Sequence, residues 1–201
     1  SNIGEGFPNL DLLPCSIRID DFQTNMAKAR HGFREIEDFR KDLVHKRKIL
    51  RRFLNTAYDY VIVDCPPSLA IQVREFFTIG DGFIIPSVPD RLSVRGSAWL
   101  LDRMRRGNYK RIQPVGTLWS LYRSQAKVHR EIVKLAAEKR PPLDQLPTPF
   151  ETIIPNASKI AESTEPGINP KSFTEKYTPT FAKLYRELCR EIVARTANMP
   201  S

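Results

Sequence analysis

Tyr58-Asp59-Tyr60-Val61-Ile62-Val63-Asp64-Cys65-Pro66-Pro67-Ser68 is the stretch on which the fold turns. The continuous apolar, β-branched run over residues 60–64 is of the kind found in strands buried on both faces of a parallel sheet. Such a strand delivers one carboxylate, Asp64, at its carboxyl end. A hydrated magnesium ion can be held there, because magnesium keeps most of its waters and needs only one or two carboxylates beside the phosphates of its substrate. Pro66-Pro67 cannot continue a strand ladder and disfavours an immediate helix, so the loop leaves in a fixed, extended direction. A rigid loop after a metal-facing Asp is what a phosphate-sensing switch requires. The alternative is that Asp64 closes a strand end and the prolines merely terminate it.

On both sides of this stretch, short apolar strands alternate with longer amphipathic segments. Residues 10–13 read as a short strand closed by Pro14. Phe22, Met26, Ala29, Phe33 and Ile36 recur at helical steps, with Gly32 weakening that helix. A second helical stretch carries Leu43, Leu50 and Leu54, its cations from Lys46 to Arg52 turned largely to water. Downstream, the pattern predicts a helix over 69–77, a strand over 82–86 and a helix over 92–104. It continues with a strand over 115–122, a helix over 126–139 that stops before Pro141-Pro142, and a last strand over 150–154. A short helix around Lys159 and a closing helix marked by Phe181, Leu184, Tyr185, Leu188 and Ile192 complete the reading. Strands alternating with helices imply parallel pairing and a sheet covered on both faces, hence an α/β fold with ligands at the carboxyl ends of the strands. With 201 residues the expectation is one domain over 1–201.

Composition narrows the function classes. Hydrophobic residues at 41% and charged residues at 27% describe a globular chain. The longest apolar runs are far too short to cross a bilayer, and no basic-then-apolar leader opens the chain. Lys and Arg number 32 against 23 Asp and Glu, a formal net charge of +9, which suits a polyanionic partner such as nucleic acid. Three cysteines, an odd number and far apart, speak against a disulfide framework or a zinc knuckle. His31, His45 and His129 read as solvated surface residues, and the absence of a GxSxG elbow removes support for that type of serine hydrolase.

The central stretch resembles the Walker B and switch II segment of the ParA/MinD/Soj partition ATPases, the deviant-Walker P-loop group. The likeness continues in the family's order. Asn9-Leu10-Asp11-Leu12-Leu13-Pro14 resembles the strand preceding their central helices. The segment from Ile84 to Gly96 is similar to the one after switch II, and that from Ile153 to Ser163 to the stretch near their adenine site. The resemblance implies a mostly parallel sheet with helices on both faces. It also implies ATP with magnesium as cofactors, an ATP-bound homodimer, non-specific DNA binding, a ParB-like partner protein that stimulates hydrolysis, and a cytoplasmic, nucleoid-associated protein without membrane attachment.

By the same resemblance, Asp64 corresponds to the magnesium-side aspartate, acting through a bound water, and is the catalytic candidate. Pro66, Pro67 and Ser68 correspond to switch II. Tyr122, Arg123, Pro155 and Asn156 lie where the family lines its adenine pocket. A core aromatic at Tyr122 and an ordinary turn at Pro155-Asn156 are the alternatives. Asp90 falls in the loop that carries Gln-x-Glu in the commonest members, where this chain has Val88-Pro89-Asp90. Lys127, Arg130 and Lys134 recur at steps of three and four opposite Val128, Ile132 and Ala136, and with Lys159 they form the candidate DNA-facing row. The alternative there is a solvated face with Lys134 pairing to Glu138.

One departure is larger. The family's nucleotide site begins with a KGGxGKT-type loop, and these residues contain no Gly-Lys pair. Asn9 aligns well downstream of that loop, so the expectation is the carboxyl-terminal portion of a ParA-like ATPase, lacking the amino-terminal strand and P-loop. A relative that has lost the loop is the rival. Other readings are a nucleotide-free DNA- or protein-binding module on the same scaffold, a MinD-like membrane-associated regulator, and an iron-protein-like reductase. The last two lose ground because the final residues carry no long amphipathic anchor and the cysteines lack cluster spacing.

Overall fold

The structure, a computed structural model, describes residues 9–13, 33–65, 71–107, 109, 111–162 and 173–199. The chain divides into two compact units, Ser1–Ile79 and Gly80–Ser201. The predicted helix beginning at Phe22 falls mainly on residues outside those described, as does the switch segment Pro66, Pro67 and Ser68.

In the first unit a long helix, α1, spans Phe33–Ala57, and a shorter one, α2, spans Ile71–Ile79. Arg47 ion-pairs with Glu75, and the Arg51 guanidinium donates to the carbonyl of Ile79, so two cations of α1 serve α2. Lys41, Lys48 and Arg52 of α1 are exposed, and Lys46 pairs with Asp42 at 2.7 Å. The strand expected over 10–13 amounts to an isolated bridge at Asp11, whose carboxylate accepts from the Tyr58 hydroxyl at 2.9 Å.

The expected buried strand over 60–64 is corrected. These residues join no ladder among the described residues, and the side chains of Tyr60, Val61, Ile62 and Val63 are exposed by 40 to 91%. The reason is a missing partner. A strand is defined by neighbours that satisfy its N–H and C=O groups, and apolar composition cannot supply them.

The second unit carries the α/β core. Strand β1 (Gly82–Ser87) leads through helix α3 (Arg91–Arg106) to strand β2 (Gln113–Trp119), and the two strands pair in parallel. Parallel pairing needs a crossover, and α3 is that crossover. The register slips between Phe83 and Ile84, whose partners are Pro114 and Gly116. Val115 is thereby bulged, which lets Val115 and Leu118 face the same cluster. Residues 148–156 run parallel along the other edge of β2. Phe150 N donates to Thr117 O, Ile154 N to Trp119 O, and Asn156 N to Tyr122 O, each at 2.9 Å. The last strand expected over 150–154 is therefore an extended, interrupted edge with bridges at Pro149 and Pro155. Prolines at both bridge positions cannot donate to a ladder, which explains the interruption.

Helices cover both faces. On one, Val94 and Leu101 of α3 and Ile132 and Ala136 of α4 (Lys127–Ala137) pack with Ile85, Trp119, Leu143 and Leu146. On the other, Leu184, Leu188 and Ile192 of the closing helix α7 (Pro179–Thr196) and Ile160 of α5 (Ser158–Glu162) pack with Phe150, Ile154, Ile84, Val115 and Leu118. Between them lies the one-turn helix α6 (Phe173–Lys176). The α/β layering thus matches the sequence expectation.

Gly116 lies where β2 meets the edge segment. A Cβ there would lie 2.5 Å from Arg195 Nη1, 2.7 Å from Phe150 Cε2 and 2.9 Å from the Thr148 carbonyl. Gly116→Ala is expected to cost about 1–3 kcal/mol through overpacking, measured as a urea midpoint shift at unchanged m-value.

Candidate functional site

In a parallel sheet, side chains that handle ligands collect where the strands end in their carboxyl direction. β2 ends at Trp119, and the chain then turns through Ser120 and Leu121, whose φ of 52° is left-handed. That turn presents Tyr122 and Arg123. Tyr122 bridges to Pro155 on the edge segment, and the Asn156 N–H donates to the Tyr122 carbonyl. With its carboxamide oxygen turned toward Arg123, Asn156 accepts from Nε and Nη2 at 2.8 and 3.0 Å. The four adenine-site candidates, from two segments more than thirty residues apart in sequence, therefore meet at one place.

A fifth residue joins them. His129 of α4 accepts from the Arg123 backbone N–H at 3.1 Å through Nδ1, and its ring centroid lies 6.1 Å from that of Tyr122. The expectation of a solvated His129 is corrected: it is half-buried and holds the turn that displays Arg123. Nothing in its spacing signals this, because its partner is a backbone group.

Beside Tyr122 lies an open, mostly apolar groove of about 420 Å³, lined among others by Ile153, Pro155, Phe181 and Leu184, with Lys183 and Glu187 also on its lining. Its apolar walls and few polar groups suit a flat ring system.

Asp90, at the carboxyl end of β1, is occupied locally. It is the N-cap of α3, accepting from Leu92 N at 2.8 Å, Ser93 N at 2.9 Å and Ser93 Oγ at 2.9 Å. The Ser93 N–H is the main influence holding its carboxyl below the usual range. Burial opposes this, while the Ser93 hydroxyl, the Leu92 N–H and nearby His129 assist it. Both oxygens are thus engaged by the helix start.

Asp64 belongs to the first unit and is exposed, at the end of a segment that joins no ladder among the described residues rather than of a central strand. The expected delivery of this carboxylate from a buried strand is therefore corrected along with the strand. Cys65 beside it is half-buried, and burial, with the Asp64 charge second, pushes its thiol up, away from thiolate chemistry. Among the described residues no cluster of three or more His, Cys, Asp or Glu side chains is placed to hold a metal ion. A single carboxylate fits a hydrated magnesium ion only beside phosphate, and the described residues contain no Gly-Lys loop for that phosphate.

The cationic row lies on the exposed side of α4, with Ile132 and Ala136 buried opposite. Lys127 faces Glu131 at 3.7 Å and Lys134 faces Glu138 at 3.9 Å, both one turn along α4. Arg130 donates to the Ser124 carbonyl, and Lys159 pairs with Glu162 at 2.9 Å. Loose exposed pairs of this kind hold a lysine only weakly, so these cations stay accessible.

Comparison with known proteins decides the family. The AAA domain family model matches residues 2–113, more than half of the chain. This chain belongs to the ParA/MinD/Soj-type P-loop ATPase family. It is 29% identical over 164 residues to the chromosome-partitioning ATPase Soj of Treponema pallidum, covering 80% of this chain and 62% of that protein. It is 26% identical over 141 residues to Soj of Thermus thermophilus, covering 69% and 54%. A ParA family protein of Mycoplasma pneumoniae is 23% identical over 138 residues, covering 66% and 46%. The chain therefore spans roughly half to two-thirds of the length of these curated relatives. No helix among the described residues is long and apolar enough to cross a membrane.

Proposed function

We propose that this chain is the adenine-binding and DNA-facing portion of a cytoplasmic, nucleoid-associated ParA-type ATPase that partitions a plasmid or chromosome. The observation that carries the reading is the convergence of Tyr122, Arg123, Pro155 and Asn156 beside an apolar groove at the carboxyl end of β2. Adenine presents a flat π face with polar edges. Tyr122, Pro155 and Phe181 offer surfaces for the face, while Arg123, with Nε and Nη2 held by the Asn156 carboxamide oxygen, has its remaining N–H donors to offer to the edge. Magnesium, when bound beside the triphosphate, neutralises phosphate charge, and Asp64 is the residue that would hold one of its waters.

In the intact ATPase, Tyr122→Ala is expected to raise the KM for ATP about tenfold with kcat nearly unchanged, because a contact to the base is made equally in the ground and transition states. A KM within twofold of wild type in a steady-state assay would remove Tyr122 from the nucleotide site.

The intact protein is read as an ATP-bound homodimer that binds DNA without sequence preference and is released when a ParB-like protein stimulates hydrolysis. Lys127, Arg130 and Lys134 supply the phosphate contacts, with Lys159 as a further one. Lys127→Ala with Arg130→Ala should weaken binding of any duplex and flatten the slope of log K against log salt by roughly two, about one per lost phosphate contact. Filter-binding titrations at several salt concentrations measure this, and an unchanged slope would exclude the pair.

A further inference from the structure

The outward face of α3 takes no part in the site above. Val94, Ser97, Leu101 and Met104 bury one side of this helix. Leu92, Arg95, Trp99, Arg103 and Arg106 follow at three- and four-residue steps and, with Gly96 next to Arg95, form a single stripe on the opposite side, away from the sheet. That orientation matters, because strands added to a sheet do not cover a helix's far side.

Three features of the stripe have no use among the described residues. Leu92 is 80% exposed and Trp99 56% exposed, large apolar groups aligned on one solvent face. At Gly96 an added Cβ meets nothing within 4 Å, so none of the described residues accounts for a mid-helix glycine that weakens the helix relative to alanine. Glycine there suits the close approach of another backbone. The third feature is charge. Arg106 is paired to Asp102 at 2.8 Å, whereas Arg95 and Arg103 have no carboxylate partner among the described residues. The Arg103 guanidinium lies 5.5 Å from the Trp99 ring centre.

A second copy docked through this face would set arginine against arginine. Duplex DNA would satisfy the arginines but give Leu92 and the open backbone at Gly96 nothing to do. We propose that this face docks an acidic amphipathic helix of a partner protein. Its backbone crosses at Gly96, its apolar side chains lie on Leu92 and Trp99, and its carboxylates reach Arg95 and Arg103.

The two tryptophans make the test direct, since Trp119 is fully buried and acrylamide reaches only Trp99. The probe is a synthetic helical peptide of about four turns, with leucines on one face and glutamates along its borders. It should protect Trp99 from quenching and bind at least about tenfold more tightly than the same peptide with lysines for glutamates. Arg95→Glu with Arg103→Glu, and separately Gly96→Leu, should each weaken it about tenfold or more, with circular dichroism and Tm no lower than wild type. Equal binding of the lysine peptide, no binding of the acidic one, or insensitivity to Gly96→Leu would overturn the proposal. So would protection of Trp99 by a DNA duplex but not by the peptide, which would make this a nucleic-acid face. None of these readouts depends on nucleotide, so they stand or fall separately from the proposed ATPase role.

Discussion

Trp119→Ala should lower the unfolding free energy by about 3–5 kcal/mol, the range for emptying a large buried aromatic site. Trp119 is the last residue of β2, fully buried, and its indole sits among Ile85, Val94, Leu101, Ile132 and Leu146, joining the strand to α3 and α4. A loss of that size is a large fraction of what a domain usually has, so partial unfolding at 37 °C is the expected appearance. Trp119→Phe separates two contributions. The indole Nε1 has no hydrogen-bond partner among the described residues. The phenyl variant removes that unsatisfied donor while keeping most of the apolar volume, so its cost should be well under half that of the alanine variant. Urea titrations followed by far-ultraviolet circular dichroism give both numbers. An alanine variant within about 1 kcal/mol of wild type would mean that β2 is not the centre of this core.

The same residue shows what could be read from the sequence. β1 and β2 are short apolar runs bounded by glycine and turn residues, and α4 carries Ile132 and Ala136 on one face with cations opposite; periodicity found all three because burial shaped their composition. The run over 60–64 has a stronger β composition than either strand and still pairs with nothing described. Composition records a preference for a pleated, buried setting, and pairing depends on what lies alongside. The site divides in the same way. Tyr122 and Pro155 were placed through family likeness, since nothing local to either residue points to the other. Asp90 carried a legible signal, an Asp three residues before Ser93 at the start of an apolar-periodic helix, which is an N-cap signature. His129 carried none.

The edge segment that brings Pro155 and Asn156 to Tyr122 has few ladder bonds of its own, and the closing helix supplies the remainder. Both carboxylate oxygens of Glu191 accept from this segment, Oε1 from Glu151 N at 2.8 Å and Oε2 from Thr152 N at 3.2 Å. One turn along, Arg195 donates to Glu191 at 2.7 Å and to the carbonyls of Pro149 at 2.7 Å, Thr148 at 2.8 Å and Val115 at 3.2 Å. Its guanidinium carbon lies 4.2 Å from the Phe150 ring centre. Arg195→Ala should therefore cost about 2–4 kcal/mol, somewhat below a fully buried pair because about a fifth of each side chain still meets solvent.

Burial pushes the Glu191 carboxyl up, but the Glu151 and Thr152 N–H groups and the Arg195 charge outweigh it, so the group lies below its ordinary value. The sign follows from that direction. The folded state binds this proton less readily than the unfolded chain, so the contribution is complete above the unfolded glutamate value of about 4.3 and fades as pH falls through the lower folded one. Glu191→Gln should remove that part of the acid dependence, and with Arg195→Ala the two losses should fall short of additive, because each residue holds the other. Thermal melts of the four proteins from neutral pH downward test this, with strict additivity as the result that would dissolve the clamp. In the intact ATPase the same substitutions should weaken ATP binding without touching the nucleotide, because Asn156 reaches Arg123 only while the segment is held against β2.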